Sequence, residues 1–185
     1  MGGIFALKVC VYAICKNESQ FVDRFMDSMS EADYVCVLDT GSSDDTVKKL
    51  RARGAIVGET VVSPWRFDTA RNESLGLIPA DADICCAIDL DEQFHPGWRA
   101  ALERAWQPDT TRARYRYTWS FRPDGSEGMV FWADKIHKNG CYRWASPVHE
   151  TLSYTGEGAE RFVDAAGVQL DHHPDETKSR GQYLP

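Results

Sequence analysis

Four short apolar runs separated by helix-spaced segments constrain the fold of this chain more than any other feature of its sequence. Val9 to Ile14, Tyr34 to Leu38, Ala55 to Val62 and Ile84 to Leu90 each have strand length. Between the first two, Gln20 to Met29 places Phe21, Val22, Phe25, Met26 and Met29 on one helical face. A second helix is predicted from Asp44 or Asp45, either of which can cap it, to about Arg53. A third runs from Asp68, its expected cap, to Leu77, after a loop from Pro64 to Phe67. Strands that alternate with helices specify an α/β domain with a mainly parallel sheet, whose ligands bind beyond the carboxyl ends of the strands. The chemistry is therefore expected just after each apolar run.

After a helix from Pro96 to Trp106 the pattern changes. Ala113 to Phe121 alternates Arg with Tyr or Trp and meets the turn signal Pro123-Asp124-Gly125. Val130 to His137 and Cys141 to Trp144, separated by Asn139-Gly140, read as further antiparallel strands, and Val168 to Asp171 as a last short one. The expectation is one domain with halves at 1–106 and 107–176, the second β-rich and partly antiparallel. Residues 177–185, with Thr177 to Leu184 helix-like, read as the start of a helical continuation that is cut short. Most of Tyr115, Tyr117, Trp119, Phe131, Trp132 and Trp144 belong in the core of that second half, and one or two can stack on a ligand instead.

At 185 residues with 43% apolar side chains the chain can bury a continuous core. Its 28 acids against 21 bases leave a net charge of −7, which argues against a nucleic-acid partner, although Arg112, Arg114 and Arg116 cluster locally. The six cysteines show no paired CxxC spacing and five lie in apolar runs, so they read as reduced core thiols in a cytoplasmic protein. The stretch from Ile4 to Cys15 is interrupted by Lys8 and is too short to span a bilayer, so no transmembrane segment is expected.

Asp89-Leu90-Asp91-Glu92 directly follows the apolar run at Ile84 to Ile88. At a strand-to-loop bend two such carboxylates can approach one hard cation, Mg²⁺ or Mn²⁺, which would bridge the phosphates of a nucleoside diphosphate. Taken alone, the same trio is an ordinary solvated turn or helix cap. Asp39-Thr40-Gly41-Ser42-Ser43 also follows a strand, and a carboxylate there can accept the imide N–H of uracil or bind ribose while Gly41 lets a ligand approach the backbone. A capped loop is the equally good bland reading.

Four segments occur together and in order: Val11-Tyr12-Ala13-Ile14-Cys15-Lys16-Asn17-Glu18, Val37-Leu38-Asp39-Thr40-Gly41-Ser42-Ser43-Asp44-Asp45-Thr46, Phe67-Asp68-Thr69-Ala70-Arg71-Asn72 and Ala87-Ile88-Asp89-Leu90-Asp91-Glu92. In this the chain resembles the family-two glycosyltransferases of GT-A fold. It looks most like the branch that carries a later Val-His-Glu segment, here Val148-His149-Glu150, and often a helical-repeat tail. The resemblance implies a Rossmann-like nucleotide-sugar-binding first half and an acceptor-side second half. It implies Ala13 (through its backbone), Glu18, Asp39 and Asp68 near the nucleoside, Arg71 near the diphosphate and Asp89 near the ribose and donor sugar. Asp91 would be the direct metal ligand, with Asp89 beside it and His172 as a third ligand, preferred over His173. Members of this type invert the anomeric centre, so a base must take the acceptor's proton; Glu150 and then His149 are the candidates. The pattern departs from the Glu-Asp pair of other branches.

These readings give an inverting transferase that uses Mn²⁺ or Mg²⁺ and a UDP-sugar to modify an unidentified glycan, peptide or small molecule. The alternative in a different class is a catalytically silent nucleotide-sugar or carbohydrate binding module of a larger protein. A nucleotidyltransferase would also use strand-end aspartates, but Val11 to Glu18 has no glycine-rich loop.

Overall fold

The computed structural model describes residues 7–175. Its centre is β1 (Val9–Cys15), buried along its whole length. Parallel to it lie β2 (Tyr34–Asp39) on one side and β4 (Ile84–Ala87) on the other, with β3 (Ile56–Glu59) outside β2. A parallel strand covered on both faces must be apolar on both, which is why these runs show no alternation. The helices α1 (Val22–Ser28), α2 (Thr46–Ala52) and α3 (Phe67–Leu75) are the crossovers. The observed strands and helices fall on the predicted segments, apart from β3, which is half the length of its apolar run.

Beyond β4 the same sheet becomes mixed, with antiparallel pairs and one parallel pair. β5 (Glu92–Phe94) and α4 (Trp98–Ala105) precede β6 (Arg112–Thr118), β7 (Val130–Lys138) and, after the hairpin of β8 (Tyr142–Ala145) and β9 (Thr151–Tyr154), the long β10 (Phe162–His172). The eight-stranded order is β3-β2-β1-β4-β7-β6-β10-β5, and β8 with β9 forms a separate two-stranded sheet. This is the α/β class expected, parallel in the first half and β-rich and mixed in the second. Asn139-Gly140 does separate β7 from β8, with Gly140 at φ +72°, but the two strands enter different sheets. β10 is much longer than the segment from Val168 to Asp171, and β5 and β9 were not foreseen.

One face of the sheet packs Val9, Val11 and Ala13 against Phe25, Met29, Trp98 and Leu102. The other sets Cys10, Tyr12 and Cys36 against Tyr142, Trp144 and Leu152 of the β8–β9 hairpin. All six cysteines are free thiols, and all but Cys141 are buried. The local basic cluster does not form a groove, because Arg112 pairs with Asp134 and Glu160, Arg114 with Asp164 and Arg116 with Glu127. No helix among the described residues is long and apolar enough to cross a membrane.

One predicted cap is corrected. Asp68 lies inside the first turn of α3, whose cap position is Arg66, because its carboxylate is drawn into a two-bond ion pair with that arginine. Asp45 holds the cap position of α2 without a side-chain bond, while Asp44 accepts the Thr46 N–H at 3.0 Å. The predicted helical continuation, Thr177 to Leu184, lies outside the described residues.

Candidate active site

The loops at the carboxyl ends of β1, β2 and β4 meet where a parallel sheet binds its ligands. Asp39, 2% exposed, turns back on its own loop and accepts the N–H groups of Gly41 (3.0 Å) and Ser42 (2.8 Å) on one oxygen. The Ser42 hydroxyl donates to its other oxygen. Gly41 closes this turn at φ +107°, a conformation that favours glycine. The Ser42 hydroxyl also accepts the Asn17 N–H at 2.7 Å, and Thr46 Oγ1 accepts that of Glu18 at 2.8 Å, so the loops after β1 and β2 are sewn together. Ala13 sits in the buried run of β1, in register with Val37.

Arg71 is the hub of the next layer. Carried on α3 and 3% exposed, it donates from Nη2 to both oxygens of Asp89 (2.8 and 3.1 Å) and from Nε to Glu150 Oε1 (3.0 Å). Its guanidinium also lies over the Trp144 ring, 5.1 Å from the centroid. Burial works against its charge, and the two carboxylates more than offset this, so it stays protonated. Nη1 is buried with no partner among the described residues. A buried charged donor without an acceptor is costly, and an anion entering the site would supply one. Burial opposes ionisation of Asp89, but Arg71 and then Lys135, 4.0 Å away, outweigh it and hold the carboxyl below its usual range.

Asp91 points elsewhere. Its Oδ2 is 3.2 Å from His172 Nε2, a pair 81 residues apart in sequence. His172 Nδ1 is 3.0 Å from the Trp119 carbonyl, so that nitrogen must carry the proton. In the neutral imidazole, Nε2 and Asp91 then face each other as two acceptors, which only a proton or a cation between them can reconcile. Asp91 raises the His172 pKa against the opposing effect of burial. Carboxylate with imidazole is also a donor set suited to Mn²⁺ or Mg²⁺, so the residues fit the expected ion. Among the described residues no three His, Cys, Asp or Glu side chains form a ready metal cage, and Asp89 is turned to Arg71. His173 stays outside this pair: its backbone N–H donates to the Asp91 carbonyl at 2.8 Å and its ring stacks on Phe121.

The other sequence candidates divide. Glu150, only 15% exposed at its side chain, joins the Arg71 group with Oε1 bound and Oε2 carrying no hydrogen bond among the described residues. His149 is exposed and takes a left-handed backbone at φ +57°. Asp68 is engaged by Arg66 and not by the Arg71 group.

Sequence reasoning missed the residues that hold this geometry. Glu92, 2% exposed, accepts the Asp89 N–H at 2.8 Å and the Tyr117 hydroxyl, and burial pushes its carboxyl up. Asn72 bonds both backbone groups of Trp144 (2.8 and 3.0 Å), and the Phe67 N–H reaches the Pro147 carbonyl at 3.1 Å, so the loop with Glu150 is stapled to α3 at two points. Trp144 Nε1 donates to the Tyr12 hydroxyl (2.9 Å), which donates to His137 Nε2 (2.9 Å), whose Nδ1 donates to the Lys138 carbonyl (3.0 Å). A Glu three residues after Asp89 and an Asn next to Arg71 were visible, but nothing local signalled their partners.

No family model matches the chain. Among solved structures it is similar to a mycobacterial protein over 92% of this chain and 69% of that one, with a TM-score of 0.59 and 16% identity. This likeness shows the fold. Structures of glucosyl-3-phosphoglycerate synthase from Mycobacterium tuberculosis also match, at 26% identity and a TM-score of 0.49 over 60% of this chain; one holds Mn²⁺, UDP and glucosyl-3-phosphoglycerate. Another holds Mn²⁺ and UDP-glucose with the same identity and score. The chain spans 44% of the length of that synthase.

Proposed function

We propose that this chain is the catalytic part of an inverting, metal-dependent glycosyltransferase of the family-two GT-A kind, which passes a hexose or N-acetylhexosamine from a UDP-sugar to an acceptor. The observation that carries the reading is the Asp91–His172 pair, two facing acceptors at 3.2 Å; Arg71, turned to Asp89 and Glu150, keeps a buried donor to spare. Asp91 and His172 would hold Mn²⁺ or Mg²⁺, which when bound neutralises charge on the departing diphosphate. Arg71 Nη1 supplies a fixed donor to the same phosphates without reorganising, since Asp89 and Glu150 already set its plane. The loops after β1 and β2 wall the nucleoside, with Asp39 holding the turn that shapes them. Glu150, restrained at Oε1, presents Oε2 to take the acceptor's proton as its oxygen attacks the anomeric carbon and the diphosphate leaves. His149, exposed, is the second choice of base.

Calorimetric titration tests the donor site. UDP should bind with Mn²⁺ or Mg²⁺ present and not in excess chelator, because without the ion the diphosphate faces the carboxylate of Asp91. Asp91→Asn should remove the metal-supported binding; unchanged affinity in chelator would refute the metal assignment.

A further inference from the structure

The second half exposes aromatic side chains in a row rather than singly. Phe131 of β7 is the direct cross-strand partner of Tyr117 in β6, and their rings are 5.1 Å apart. Two residues on, the Trp119 N–H donates to the Met129 carbonyl at 2.8 Å, which continues the same face. On the other side β10 runs parallel to β6 with Asp171 opposite Thr118, so His172 comes beside Trp119, and the two rings stack at 4.4 Å and 20°. The row therefore crosses three strands and ends on Asp91. Tyr117 is buried, but Trp119, Met129 and Phe131 are 46%, 59% and 43% exposed. Scattered exposed apolar side chains need no explanation, whereas a contiguous row that runs into a polar site marks a ligand surface.

We infer that this row is the platform on which the acceptor lies, and that the acceptor presents an uncharged pyranose ring to it. This rests on the reading that Asp91 and His172 mark the donor site. Trp119, Met129 and Phe131 have no arginine or lysine among them; of the neighbouring cations Arg116 is held by Glu127 and Lys135 lies against Asp89, while the free donors, Arg71 Nη1 and Arg24 Nε, belong to the polar site at the end of the row. A phosphate or carboxylate lying on Trp119 and Phe131 would find no arginine or lysine on the row itself and would face Asp91 at its end. A pyranose offers C–H faces to the rings of Phe131 and Trp119 and directs its hydroxyls to the carboxylates, which accept them. Continuity with the Asp91–His172 pair places such a ring next to the departing diphosphate, where an acceptor belongs.

Saturation-transfer NMR on the whole chain, irradiating aromatic protons, tests this with cellobiose, maltose, diacetylchitobiose and 3-phosphoglycerate as probes. At least one disaccharide should take up saturation through its ring protons. Phe131→Ala should weaken that probe by about tenfold and Phe131→Tyr restore it, while UDP affinity with Mn²⁺ moves by less than about twofold. Saturation of 3-phosphoglycerate alone, no disaccharide binding, or disaccharide binding indifferent to Phe131→Ala would each overturn the inference. So would a dimer that Phe131→Ala dissolves, which would give the row to a second copy of the chain. Disaccharide binding by a protein that fails to bind UDP would strike the donor-site reading alone, since the platform is tested without nucleotide.

Discussion

His137 offers a test of the buried network behind Trp144 that does not depend on substrate. It is 1% exposed, and burial, with a smaller contribution from Arg112, lowers its pKa from 6.5 to about 4. The bonding agrees, because Nδ1 donates to a carbonyl and Nε2 must therefore accept from Tyr12. A proton on Nε2 would turn that acceptor into a donor and strand the Tyr12 hydrogen, since Tyr12 already accepts from Trp144. In the unfolded chain the imidazole takes its proton near pH 6.5, so between that pH and about 4 the unfolded state binds more protons and stability falls as pH falls. At about 1.4 kcal/mol per tenfold change in proton binding, the full difference is about 3 kcal/mol, developed between pH 6.5 and 4 and absent above pH 7. Urea unfolding at stepped pH, run in parallel on the protein and on His137→Phe, isolates this contribution, because the carboxylates are common to both. The gap between the two curves should narrow by about 3 kcal/mol on acidification, whatever constant offset the substitution introduces. Curves that stay parallel from pH 7 to 4 would refute the assignment of a neutral, buried His137.

Glu150→Gln should leave UDP affinity near normal while transfer falls by about two orders of magnitude, as expected when a positioned base is lost. Full turnover by a well-folded variant would move the base to His149 or elsewhere, whereas lost stability with turnover intact would make Glu150 a brace for its loop. Arg71→Met leaves Asp89 and Glu150 without their shared cation, and should lower unfolding free energy by about 3 kcal/mol, the low end for a broken buried pair because Asp89 is 34% exposed at its side chain. Chemical denaturation measures it, and a loss under about 1 kcal/mol would show that the carboxylates find water or Lys135 instead.

The sequence by itself determined the elements that are apolar on both sides and the polar turns that end them. Val9 to Ile14, Tyr34 to Leu38 and Ile84 to Leu90 could be read as buried parallel strands because a strand covered on both faces has no polar option, and Asp39, Asp89 and Asp91 were then placed at the sheet's lip by position alone. β5 and β9, three and four residues long, carry too few positions to show a period. The start of α3 was misplaced because an Asp that pairs with Arg66 has the same local signature as an Asp that caps. Partners across the fold were the business of tertiary structure. The antiparallel pairing of β10 with β5, which sets His172 opposite Glu92, brings His172 to Asp91, and the docking of the β8–β9 hairpin on α3 brings Glu150 to Arg71. Both pairings join residues about eighty positions apart, and no local pattern records which carboxylate a distant base will meet. The strand order of the sheet decided which aromatics are covered. Tyr115 and Tyr117 face the core, while Trp119 and Phe131, drawn from the same kind of alternating run, are left where β6 and β7 extend past the elements that would have buried them.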